Sequence, residues 1–355
     1  MVTVHDVARA AGVSISTVSR ALTDPQRVAV ATRDRVTSAA RELGYRPNRA
    51  ASVLRAGRSG ALGLVVPDLA NPYFAAIAKG AQAQARERGV GLFVVDSDED
   101  PELETEAVSG LAPQTDGIIL CSPRAVERTV EALEGRPVVL VNHHVDGLPS
   151  VVADHEAGML RTLEHLRALG HAKVAYVGGP ARSWSDSRRR AGLRAAAARL
   201  GDVELVELGP HRPQVAGGHA AADLVVATRA TAVVTFNDLV AAGLVERLRV
   251  RGLDVPGDLS VVGCDDAYVA ELLAPPLTTL RTDLRDSGRV AVDRLVLRPG
   301  KDDGALQGDV TLPVELVVRG STAPPRAAAR PRRPLTTPTD TDAPPRRRRR
   351  TTEEP

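Results

Sequence analysis

The chain has 355 residues, 46 Lys and Arg against 44 Asp and Glu, and only two cysteines. That length supports more than one domain with a sizeable core. No apolar run reaches membrane-spanning length, no signal peptide precedes the first polar helical pattern, and Cys121 and Cys264 lie far apart in apolar runs. A cytoplasmic protein with reduced thiols and no membrane contact is therefore expected.

Residues 3–45 predict three short helices. Val4, Val7, Ala8 and Ala11 make one apolar face, with Thr3 as N-cap and Asp6 three residues on. Gly12 permits a sharp turn, and Ser14 suits the cap of a second helix. Val18, Ala21 and Leu22 form its inward face, and Ile15, Ser16, Ser19 and Arg20 point outward. A third helix starts near Thr32, with Val36, Ala40 and Leu43 apolar. Two helices broken by a glycine, the second opening on hydroxyls, suit a helix-turn-helix that lays one helix in a DNA major groove. Residues 1–60 hold ten arginines against four acidic residues, about +6, as a phosphate-backbone binder requires. The alternative is a helical hairpin within a larger fold.

From residue 61 short apolar runs alternate with helical stretches. Strands are predicted at 61–67, 91–95, 117–120, 138–141 and 151–153, then at 173–178, 203–207, 232–235 and 259–263. Helices are predicted at 73–88, 103–111 and 125–133, then near 187–200, 214–227, 238–251 and 286–297. This alternation implies two doubly wound α/β subdomains with buried parallel sheets. Ligands bind beyond the carboxyl ends of such strands, where Asn71, Tyr73 and Phe74 follow the first one. Phe74 either stacks on a ligand or packs its helix to the sheet. Trp184, the sole tryptophan, lies in a predicted loop and is expected to form a stacking wall. Residues 61–322 carry about −9, a poor surface for nucleic acid.

His143, His144 and Asp146 lack a third ligand at usable spacing, so a solvated or cleft-lining role is preferred to a metal site. No nucleophile elbow, phosphate-binding loop or Cys-x-x-Cys occurs, so neither catalysis nor a cofactor is expected. Residues 323–355 are rich in Pro, Thr, Ala and Arg and end in the run Arg346 to Arg350, which predicts a disordered basic tail. It is either a weak aid to DNA affinity or a solvated extension.

The runs "TVHDVARAAGVSISTVSRAL", "ATRDRVTSAARELGYRPNRAASVLRAGRS", "LGLVVPDLANPYFAAIAKG", "HLRALGHAKVAYVGGP", "FNDLVAAG" and "SVVGCDDAYVAELLAPPLTTL" follow one another in order. In this the chain resembles the lac repressor (LacI) family of bacterial regulators, over about residues 2–322. The resemblance implies a headpiece at 1–46, a hinge helix and linker at 47–60, and a periplasmic-binding-protein-like effector and dimerisation domain at 61–322. Its two subdomains would be joined by three crossovers.

By the same resemblance Ile15, Ser16 and Arg20 read bases, while Thr3, Ser14, Thr17 and Ser19 fix register on phosphates. Asn48, Ala51 and Leu54 would place the hinge in the minor groove, with Leu54 as a wedge. Arg189, Asn237 and Asp265 match effector-binding positions. Asp238 and Asp266 are taken as helix caps, and Asn142 stands where the family often has an acid. The implied partners are operator DNA, a second copy of the chain or a higher assembly, and a small effector, a sugar or else a nucleoside or purine. A transport protein would share residues 61–322 but have no use for a basic headpiece. A hydrolase would need a poised base or metal.

Overall fold

A computed structural model describes residues 2–23, 25–45, 59–297 and 308–326. The expected hinge residues Asn48, Ala51 and Leu54, and the tail from residue 327, lie outside the described residues.

Three helices, α1 (Val4–Ala11), α2 (Ile15–Thr23) and α3 (Val30–Glu42), form the N-terminal unit. The Asp6 carboxylate accepts from the Thr3 backbone N–H at 2.9 Å and its hydroxyl at 2.7 Å, tying down the start of α1. Gly12 ends it in the left-handed conformation (φ 63°). The core holds Val7, Val18 and Val36 with five alanines, so the helices approach closely around little volume. Helix α3 starts two residues before the expected position.

The first lobe has a parallel sheet in the order β11-β5-β4-β3-β1-β2, made of β1 (Ala61–Val66), β2 (Gly91–Asp96), β3 (Ile118–Cys121), β4 (Val138–Val141), β5 (Ser150–Ala153) and β11 (Val310–Leu312). Alternation along the strands divides the core. Leu62, Leu64 and Val66 pack under α4 (Pro72–Glu87) and α12 (Leu284–Val296), while Val65, Ile118 and Leu120 pack with α5 (Pro101–Leu111) and α6 (Val126–Glu131). Helices α4 and α12 meet through Gly80 and Gly288; a Cβ on Gly288 would fall 2.1 Å from the Ile77 carbonyl. The composition of β2 predicts a buried strand, but it is the sheet edge, and Phe93 is 49% exposed.

The second lobe repeats the plan. Its sheet has the order β12-β10-β9-β8-β6-β7, with β6 (Lys173–Val177), β7 (Glu204–Leu208), β8 (Ala232–Thr235), β9 (Ser260–Cys264) and β10 (Thr278–Arg281) parallel and β12 (Glu315–Val317) antiparallel. Helices α7 (His155–Ala168) and α8 (Trp184–Leu200) pack on one face. On the other face α9 (Val215–Thr228) and α10 (Asp238–Val250) pack closely, with the short α11 (Tyr268–Leu272) beside them. Helix α7 lies where the spacing above assigns no element, although Met159, Leu163 and Leu166 supply its buried stripe.

The chain passes between lobes three times: after β5, between β10 and α12, and between β11 and β12. The crossings lie side by side, with the Asp154 N–H bonded to the Leu312 carbonyl at 3.0 Å. Each lobe thus directs the carboxyl ends of its parallel strands at the other.

Candidate functional site

Two places combine accessibility with chemistry. In the N-terminal unit, the Ser14 hydroxyl accepts from the Thr17 N–H at 3.1 Å and lies 2.8 Å from the hydroxyls of Ser16 and Thr17. This caps α2 and gathers hydroxyl groups at its N-terminus, where backbone N–H groups favour an anion such as phosphate. Ser16 and Arg20 are exposed, whereas Ile15 is half-buried and packs partly against the headpiece core.

The second place is the cleft between lobes, where residues of both lobes line a narrow inner pocket. Six expected residues line it from two strand exits of the first lobe and two of the second: Asn71, Tyr73, Phe74, Asn142, Asn237 and Asp265. Arg189, on α8, completes the set. An adjoining pocket, also lined by Tyr73, Arg189 and Asp265, runs to the crossovers at Thr282 and Val314. Four lining residues hold left-handed backbone: Glu99 (φ 58°), Ser122 (φ 47°), Asn142 (φ 56°) and Asp265 (φ 114°). Such conformations are costly outside glycine and gather where ligands are clamped.

Arg189 is 3% exposed. One guanidinium nitrogen donates to the Phe236 carbonyl, another lies 3.6 Å from Asp265, and the group stacks 4.8 Å above the Phe236 ring. Its Nε has no hydrogen-bond partner. Burial pushes the Asp265 carboxyl up to about 7, against the pull of Arg189. Arg124 is tied to Glu99 through two bonds of 2.7 and 3.0 Å and to the Ser122 carbonyl at 2.6 Å. Asn142 donates to Ser122 at 2.8 Å, and its oxygen lies 3.2 Å from His155. Burial, with Arg189 and Arg188 adding to it, holds His155 well below the usual imidazole range, so the ring is neutral.

Residues 3–48 match bacterial regulatory proteins of the lacI family, and residues 163–322 match a periplasmic binding protein-like domain. The regulator DegA of Bacillus subtilis is 33% identical over 333 residues, covering 91% of this chain and 98% of its own. MalR of Streptomyces coelicolor is 36% identical, covering 90% and 96%. A lac repressor dimer bound to operator and the anti-inducer ONPF superposes with a TM-score of 0.78 at 31% identity, covering 91% of this chain and 99% of that one.

The chain belongs to the LacI family. It is a DNA-binding transcriptional regulator built from a helix-turn-helix headpiece and two doubly wound lobes.

Within this LacI-family cleft some side chains do not do what their types suggest. Asn237 is the N-cap of α10, its oxygen accepting from Val240 at 2.9 Å and its nitrogen donating to the Pro213 carbonyl at 2.9 Å. The neighbour expected to cap, Asp238, instead accepts from Ala267 at 2.8 Å and Thr279 at 2.6 Å. Asp266 also caps no helix and pairs with Arg281 and Arg319. Asn71 is likewise a cap, accepting from Tyr73 at 3.0 Å.

Trp184 is the first residue of α8 rather than part of a loop, and it does not line the inner cavity. It stands between His143 and His155, 5.9 Å from each ring, beside a separate cavity of about 900 Å³. Among the described residues no group of three His, Cys, Asp or Glu is placed to hold a metal, and no helix is long and apolar enough to cross a membrane.

The spacing above also missed Glu99, Ser122, Arg124, Ser185, Pro213 and Phe236, all of which line the LacI-family cleft. Ser122 and Phe236 directly follow strands β3 and β8, a position that identifies them once the sheet order is known.

Proposed function

We propose that the protein is a repressor that binds a pseudo-palindromic operator as a dimer and releases or holds it according to a small effector in the interlobe cleft. The observation that carries this reading is the pairing of a basic helix-turn-helix with two sheets whose carboxyl edges meet over a buried, polar-lined pocket. A dimer is supported by apolar groups left uncovered on both lobes: Phe93 and Val94 on β2, and Tyr268 and Leu272 on α11, the last two 70% and 74% exposed. Ser16 and Arg20 reach base edges, with Ile15 against a thymine methyl, while the hydroxyls of Thr3, Ser14, Thr17 and Ser19 set register on phosphates.

The clamshell binds and does not transform its ligand. Two of its carboxylates, Glu99 and Asp238, are tied to an arginine and to a backbone amide. The chain works in the cytoplasm, where its DNA is.

Selection from a random duplex library tests the first part and should return a two-fold symmetric site. A thermal-shift panel of sugars and nucleosides, repeated with that duplex, tests the second. Failure to enrich any site sinks the regulator mechanism. A site with no ligand response anywhere in the panel sinks the effector assignment.

A further inference from the structure

The lobes meet through side chains on two sides of the inner pocket. Near the crossovers, His155 of the second lobe lies 3.2 Å from the Asn142 oxygen of the first. On the other side the cleft widens into a cavity lined by Asp98, Asp100, Arg182, Arg212 and Gln214, with no crossover residue among its walls. There Gln214 of the second lobe reaches across the mouth, and its amide donates to the Asp68 carboxylate of the first at 3.1 Å.

Both partners are set up for this bond. Gln214 stands at the N-cap position of α9 but caps none of its N–H groups, and the side chain is committed to the other lobe instead. The residue before it is fixed from inside the pocket, where the Pro213 carbonyl accepts from Asn237 at 2.9 Å. Asp68 is 9% exposed, and its second oxygen accepts from the Ala70 N–H at 2.8 Å, which holds the acceptor in place. A carboxylate acceptor makes the bond charge-assisted, and partial burial strengthens it. The lips around it carry opposite charge, Asp98 and Asp100 on the first lobe against Arg182 and Arg212 on the second.

We infer that Gln214 and Asp68 form a latch that holds the cleft shut in the unliganded protein. The lobes turn about the crossovers, so a bond at the mouth resists opening with the longest arm. The latch itself needs no ligand. Its consequence rests on the cleft being the effector site: the effector meets a closed cleft and must break this bond to enter. Its apparent affinity is then scaled by the fraction of molecules that open.

The test uses the full-length protein without ligand or DNA. Trp184, the sole tryptophan, reports lobe separation, because its ring belongs to the second lobe and lies 5.9 Å from His143 of the first. Gln214→Glu sets two carboxylates against each other and should move the closed–open equilibrium about ten- to hundred-fold toward open. Trp184 emission should shift to the red, and the radius of gyration from small-angle X-ray scattering should grow. Adding Asp68→Asn restores an amide–carboxylate pair with the roles exchanged and should return both readings toward the parent, a rescue that loss of local structure would not give.

The melting transition of each variant reports its folding. Gln214→Ala, which only deletes the donor, should shift both readings the same way by less, and it decides if Gln214→Glu does not fold. Unchanged emission and radius in the single variants overturn the latch, as does a double variant that stays as open as Gln214→Glu. Either result leaves the effector assignment to the sugar and nucleoside panel.

Discussion

The headpiece and the cleft solve opposite problems. In the headpiece the groups proposed to read bases stand outside the core: Ser16 and Arg20 are exposed, and removing them leaves Val7, Val18 and Val36 untouched. In the cleft the groups proposed to bind the effector are part of the fold. Arg189, Asn237 and Asp265 are buried, and the atoms that would meet a ligand also hold strand exits and helix starts. Recognition and stability are therefore separable at one end of the molecule and merged at the other.

The sharpest test of that contrast is Asp186→Ala. This buried carboxylate accepts from Tyr176 at 2.8 Å, Gly179 at 2.8 Å and Arg190 at 2.7 Å, fixing the loop that leads to Arg189. Leaving the Tyr176 hydroxyl and the Gly179 N–H buried without a partner, with Arg190 held by Glu207 and the Leu208 carbonyl alone, should cost about 3–5 kcal/mol in urea unfolding and abolish ligand response together with it. Arg20→Ala should do the reverse. Operator affinity should drop by about 1–3 kcal/mol with preference relaxed at one base pair, while stability stays within about 0.5 kcal/mol. Uniform weakening on all operators would assign Arg20 to phosphate instead.

Ser14→Ala, which removes the cap of α2, should lower headpiece stability by about 1 kcal/mol, seen as early loss of helical signal on heating. If the whole protein shifts equally, the two regions are more tightly coupled than their separate cores suggest.

The two regions also titrate with opposite sign. Thr3 holds the Asp6 carboxyl below its ordinary value, so the stability it contributes is present above the normal carboxylate range and lost as the pH falls through it. Asp265 is raised from 3.8 to about 7, so the native state keeps a proton that the unfolded chain has released. Its contribution weakens as pH rises across that window. The smallest expected effect follows: any stability advantage of Asp265→Asn over the parent at pH 7 should shrink toward pH 4. Parallel denaturant curves at the two pH values measure it. Subtraction removes the opposing contribution of His143, which burial pushes down to about 4.

How much of this was legible in the chain follows the same divide. The headpiece is local: period, caps and the Gly12 turn all lie within a few residues, so its helices and exposed arginine could be read directly. Strands of the lobes could be read as apolar runs, because a sheet covered on both faces needs no alternation. Edge status could not, since β2 has the composition of a buried strand and loses its cover only through the strand order. In the cleft, strand exits named the right neighbourhood but not the right atom. Asn237 and Asp238 are adjacent and both polar, and only the packing of α10 against β10 and α11 decides which one caps and which one braces. Arg124 and Glu99 lie 25 residues apart, and nothing local pairs them.

The three crossings have a consequence in time. The first lobe takes α12 and β11 from residues 284–312, and Ala291, Val292, Leu295 and Leu312 seal its core. A ribosome releases the headpiece long before that, and domains fold as they emerge. Each nascent chain thus carries a complete reading helix while its first lobe is still open, and the capacity to contact DNA is made before the capacity to be told to let go.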